Sequence, residues 1–162
     1  MTNYLKEIKD EAEKIISQGY KSVCFWLPVR SIGGGTPYFV LLAKYLMAHT
    51  DLKVYYMDYT DGYAHDLFTD DEPINFLAYN PTVDWFPVCE PMVVVTNTTR
   101  VIQIKNMHPD SKLLFWHFET VPCAWDIVLM HNEAKKFIKA AKKDNAIVFH
   151  DWSSREVINI LY

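Results

Sequence analysis

Glycine is scarce in this chain of 162 residues, with five in all. Cysteine is scarcer still: Cys24, Cys89 and Cys123 are odd in number and lie in apolar surroundings. A disulfide framework needs more of them, so the expectation is reduced thiols in a cytosolic protein. No Cys-x-x-Cys pair is present, which leaves structural zinc without support. Positive charge is not in excess. The formal net charge is -4, and nothing in the whole-chain balance invites a nucleic acid. Long apolar runs are missing too: no segment approaches the ~20 residues a bilayer requires. The opening "MTNYLKEIKDEAEK" is charged and amphipathic, without the apolar core of a signal peptide. The expected location is therefore cytoplasmic.

What is there is apolar bulk. Half the residues are hydrophobic and 15% are aromatic, ample for one substantial core. Leu5, Ile8, Ala12, Ile15 and Ile16 recur at helical spacing until Gly19, which predicts a leading helix over 4–18. "SVCFWLPV" (22–29) is a continuous apolar run, as in a strand buried on both faces. Pro37 suits a helix start, and 39–48 is apolar almost all round, so that helix packs on more than one side. "LKVYYMDY" (52–59), "INFLAY" (74–79), "MVVVTN" (92–97), "KLLFWHF" (112–118) and "AIVFHD" (146–151) read as further strands. Helices are expected over about 98–107, over 132–143 and after the capping box formed by Ser153 and Glu156. Uniformly apolar strands alternating with helices define the expected fold: an α/β, Rossmann-like, doubly wound and mostly parallel sheet, helices on both faces, preceded by an extra N-terminal helix. One domain spans 1–162. The last helix breaks off at Tyr162 barely two turns after its cap, and the expectation is the N-terminal half of a longer protein.

Three of the five glycines stand together, in "RSIGGGTPY". In a doubly wound sheet the loop after the first strand borders the ligand crevice. Gly33, Gly34 and Gly35 let the backbone approach a ligand closely, and the next helix aims its free N–H groups there, which suits a phosphate or other anion. Thr36 adds a hydroxyl and Arg30 a positive charge. The same glycines also serve a tight turn and close helix–strand packing. The run is not G-x-x-x-x-G-K-[ST], which argues against a P-loop hydrolase. The dinucleotide fingerprint is half met: Gly33 and Gly35 fit, Tyr38 stands where a third small residue belongs, and Asp58 ends the second strand at about the ~20-residue spacing of a ribose-binding acid.

A strand, a "GGG" loop and "FVLLAKYLMAHTDLKVYYM" running into the next strand resemble the N-terminal half of GT-B glycosyltransferases. The nearest likeness is to the retaining family that builds capsular and cell-surface polysaccharides. "KLLFWHFETVP" resembles that family's strand ending in a histidine, and "NAIVFHDWSSREVINIL" its strand running into a Ser-led helix. The resemblance implies a two-domain hexosyltransferase without cofactor. Its N-terminal half holds a glycan or lipid-linked acceptor, and the absent C-terminal half holds the nucleotide-sugar. It also implies that Gly33, Gly34 and Gly35 face the donor diphosphate and the acceptor, and that His117 faces the transferred sugar or acceptor hydroxyl, with Glu119 beside it. The leading helix departs from the simplest family pattern, and the family's donor-binding acidic motif has no counterpart in these residues.

Other candidates are weighed against plainer roles. His117 is either a strand cap or a hydrogen-bond donor and proton-transfer group for a sugar. Asp151, after His150, suits a helix cap. "DGYAHDLFTDDE", with His65, has no zinc or EF-hand spacing and reads as a solvated acidic loop, so no metal is expected. Lys135, Lys136, Lys139, Lys142 and Lys143 form one polar helix face; with a lipid-linked acceptor they would lean on anionic lipid at the inner membrane face. Trp85, in a proline-rich loop, is the one tryptophan singled out as a sugar-stacking platform. Two alternatives to sugar transfer stay open: a nicotinamide-dinucleotide-binding oxidoreductase domain, and a non-catalytic Rossmann-like interaction domain.

Overall fold

The apolar recurrence of the first segment produces helix α1 (Thr2–Ile16), with Ile8, Ala12 and Ile15 turned into the core. Ile16, one position on, cannot share that face and is exposed. The N–H groups of Ser17, Gln18 and Gly19 bond back to the carbonyls of Glu13, Ile15 and Ile16, and Gly19 takes φ 79°. That left-handed turn is open to glycine without a Cβ clash, so the helix stops there. The computed structural model describes residues 2–30, 35–82, 86–96, 104, 107–116 and 147–150.

All six expected strands form. They are β1 (Ser22–Trp26), β2 (Lys53–Asp58), β3 (Asn75–Ala78), β4 (Val93–Thr96), β5 (Lys112–Trp116) and β6 (Ile147–His150). β1 ends earlier than the apolar run because Leu27 makes the last bond, to the Met57 carbonyl, and Pro28 has no N–H to continue the ladder. Between β1 and β2 runs helix α2 (Gly35–His49); between β2 and β3 lies only a short 3-10 helix (Tyr63–Leu67). The sheet order is β3-β2-β1-β4-β5-β6, and every pairing is parallel. This is a Rossmann-like α/β sheet with the strand order of two mononucleotide-binding halves.

The pleat sorts side chains to two faces. Val23, Phe25, Val54, Tyr56, Val93 and Val95 join α1 and α2 in one buried cluster. Phe39 of α2 sets its ring 5.5 Å from that of Phe25. Phe39, Leu42, Ala43 and Leu46 are wholly buried while Leu41 is exposed, as expected of a helix packed against both α1 and the sheet. The other face carries Cys24, Trp26, Met57 and Val94, also buried. The helices expected over 132–143 and after Ser153 lie outside the described residues, as does most of that over 98–107, of which Ile104 and Met107 are helical. No helix among the described residues is long and apolar enough to cross a membrane.

The two described cysteines sit in opposite environments. Cys24 is fully buried in β1 and desolvation pushes its thiol far above the ordinary range; Cys89 is exposed. Thiolate is the reactive form. Iodoacetamide at pH 8 is therefore expected to alkylate Cys89 within minutes and Cys24 only in denaturant, read by peptide mass mapping. Labelling of native Cys24 at the rate of Cys89 would contradict this burial.

Candidate functional site

A parallel sheet has one edge where every strand ends. Here that edge is marked by Trp26, Asp58, Ala78, Thr96, Trp116 and His150. The chain winds outward from β1 to β3 in one direction and from β4 to β6 in the other, so the order reverses between β1 and β4. Crevices open at such a reversal, outside the strands' carboxyl ends. The segment holding Gly33 and Gly34 leaves β1 at that edge, and Gly35 opens α2 on its return. The segment beginning at His117 leaves β5 at the same edge, with β4 between. At ~4.8 Å per strand, the two exits stand about 10 Å apart. Gly33, Gly34, His117 and Glu119 themselves lie outside the described residues, as do Trp85, Cys123, Asp151 and the lysines of 135–143.

Thr36 is described, and is only 1% exposed. Its side chain lies inward, near Tyr56, whose phenol burial drives far above its usual range, with the Asp58 charge raising it further. Among the described residues neither hydroxyl finds a hydrogen-bond partner. Position 36 thus braces α2 against β2, and what α2 offers outward at its start is backbone N–H, which Pro37 does not supply.

Asp58 occupies the place expected of a ribose-binding acid, but it faces inward and is 0% exposed. Its Oδ1 accepts the Val29 N–H at 3.0 Å and the Tyr59 N–H at 2.8 Å; its Oδ2 accepts the Ala64 N–H at 3.3 Å. One carboxylate thereby ties the exit of β1 to the exit of β2. Burial raises its pKa, and the three N–H bonds and the nearby His65 only partly counter that. Gly62 lies against it, so close that an added Cβ would overlap the carboxylate.

Arg30, just beyond Val29, reaches across to the β2 exit. Its guanidinium carbon lies 4.0 Å from the centre of the Tyr59 ring, and its Nε donates to Asp61 Oδ1 at 3.3 Å. Tyr59 meets Tyr79 edge-on at 5.1 Å, and Tyr79 meets Trp26 the same way at 5.3 Å. In the sequence Arg30 is a charge beside the glycines, and its partners across the edge come only from the pairing of β1 with β2. "DYTDG" carried the only signal, an acid at a strand end followed by an Asp-Gly turn.

The acidic loop behaves as a surface. Asp61, Asp66, Asp70 and Asp71 are exposed, while His65 stacks on Phe76 at 3.9 Å and bonds through Nε2 to the Tyr59 carbonyl. Among the described residues no group of three or more His, Cys, Asp or Glu converges as a metal set. A second polar cluster, in which the Tyr55 hydroxyl donates to Glu90 at 2.7 Å and His108 Nε2 bonds the Glu90 carbonyl at 2.8 Å, pins the segment before β4. Fold and edge together define a doubly wound α/β domain whose strand order reverses between β1 and β4. No family model, curated protein or solved structure matches this chain.

Proposed function

We propose that the chain is the acceptor-side, N-terminal domain of a GT-B sugar transferase. The complete enzyme would move a sugar from a nucleotide-sugar to a glycan or lipid-linked acceptor, in the cytoplasm or against the inner face of the membrane. One observation supports this above others: the glycine segment and the segment that begins at His117 leave the same sheet edge on either side of β4. In this reading backbone N–H groups around Gly34 and Gly35 stabilise the departing diphosphate, and His117 hydrogen-bonds the transferred sugar or the attacking hydroxyl. Positioning supplies the rest of the rate. The nucleotide-sugar is a substrate, so no cofactor is invoked. The dinucleotide alternative lacks its acid, because Asp58 is sealed and both its oxygens hold backbone amides.

The test uses the complete product of the reading frame that carries these residues, offered a panel of nucleotide-sugars with glycan and glycolipid acceptors. Release of nucleoside diphosphate is measured. Expected is turnover of at least one donor, lowered about 10²-fold by His117→Ala, and none by residues 1–162 alone. Silence with every donor, together with micromolar NAD binding, would hand the protein to the oxidoreductase class. Full activity in Gly34→Val would reduce the glycine segment to a turn.

A further inference from the structure

We propose that Arg30 is a specificity-determining residue that grips an anionic group, phosphate or carboxylate, on the acceptor-side substrate. The inference rests on the sugar-transfer reading and deepens it. Arginine carries five N–H donors in a planar fork. Here one face of the fork lies on Tyr59 and its Nε–H is taken by Asp61. The terminal nitrogens make no hydrogen bond to any described residue. What remains is the edge that matches a pair of anion oxygens.

The setting of that fork is built rather than incidental. Val29, the residue before Arg30, and Tyr59, the residue beneath it, both give their N–H to the buried carboxylate of Asp58. The ring of Tyr59 is braced by Tyr79, which meets Trp26 in turn. Stability does not account for the arrangement. Arg30 and Asp61 are 65% and 69% exposed, and an ion pair so wet contributes next to nothing.

Position selects the acceptor side. The contacts of Arg30 are at the exit of β2, whereas His117 follows β5, three strand spacings along the same edge. That is about 14 Å. An anion held by Arg30 is therefore remote from the group being transferred and serves as a handle that fixes the substrate. Such a contact acts alike on ground and transition states, so its loss raises KM and leaves kcat nearly unchanged.

The 162-residue chain is titrated with methyl phosphate and, separately, acetate, following by NMR the Arg Nε–Hε signals of the parent and, in parent and variants alike, the backbone amide signals of Tyr59 and Asp61, which flank Arg30. The Arg30 signal is identified by its loss in Arg30→Lys. Expected is a saturable shift of that signal, stronger with whichever anion class the substrate carries. Binding should be about tenfold weaker in Arg30→Lys, which cannot pair bidentately, and absent in Arg30→Gln, both variants melting as the parent does. Equal binding by Arg30→Gln, or no saturable shift with either anion, overturns the site. In the complete protein, Arg30→Gln should raise KM for anionic acceptors and spare neutral ones. Anion binding that depends on Arg30 in a protein that transfers no sugar refutes the transferase reading and keeps the site. Sugar transfer indifferent to Arg30→Gln with both acceptor types refutes the site and keeps the reading.

Discussion

Asp58→Ala is expected to destabilise the fold by about 3–5 kcal/mol, since hydrogen bonds to a charged group are worth about 1.5–3 kcal/mol each and buried donors left empty carry their full desolvation penalty. Three backbone N–H groups from two separate loops lose their acceptor at once. Relief of the carboxylate's own burial offsets part of that loss, which keeps the figure below the simple sum. Urea denaturation of parent and variant measures it, and a loss under about 1 kcal/mol would mean that these loops are held by something else. Asp58→Asn keeps the volume but turns an amide N–H₂ toward a donor, so an intermediate loss is expected. The same residue sets a pH signature. Burial raises its folded-state pKa above the unfolded one, so the folded chain holds the proton more tightly. The proton-linked part of its contribution is full below the ordinary aspartate pKa and is lost as pH rises through the raised folded value, while the three amide bonds remain. Subtracting the stability curve of Asp58→Asn from that of the parent should isolate a decline that starts at the ordinary aspartate pKa and continues upward to the raised folded value. A difference that rises with pH there would reverse the assignment.

Gly62→Ala is expected to destabilise by about 3 kcal/mol, at the upper end of ordinary overpacking. Backbone conformation is not the reason: φ -73° and ψ 155° at Gly62 suit any residue. The reason is the carboxylate of Asp58, which fills the space a Cβ would need and cannot retreat while it holds three amides. The effect should accordingly vanish when the carboxylate is gone. In an Asp58→Ala background, the added methyl is expected to change stability by less than about 0.5 kcal/mol, a coupling that a double-mutant cycle reads directly. An undiminished loss there would place the conflict elsewhere.

These two residues show where reading a sequence stops. Asp58 is legible as an acid at the end of a strand, at a spacing that suggests ribose, and Gly62 only as part of a solvated acidic loop. Nothing along the chain says that the acid points inward and is capped by that loop. The burial depends on Val29, which is distant in sequence and arrives only because β1 and β2 pair in register. Thr36 likewise read as a hydroxyl for a ligand, and its inward setting follows from the packing of α2 on Tyr56.

By itself the sequence determined the strands, the two described helices and their parallel, doubly wound class. Those rest on local periodicity and on apolar runs that only a sheet covered on both faces can bury. The tertiary structure alone decided the strand order β3-β2-β1-β4-β5-β6, which side chains meet at the carboxyl edge, and which polar groups turn inward. The physical reason is range. Propensity acts over a few residues, whereas an arginine finds its tyrosine and an aspartate its amides only after separate strands have been brought side by side.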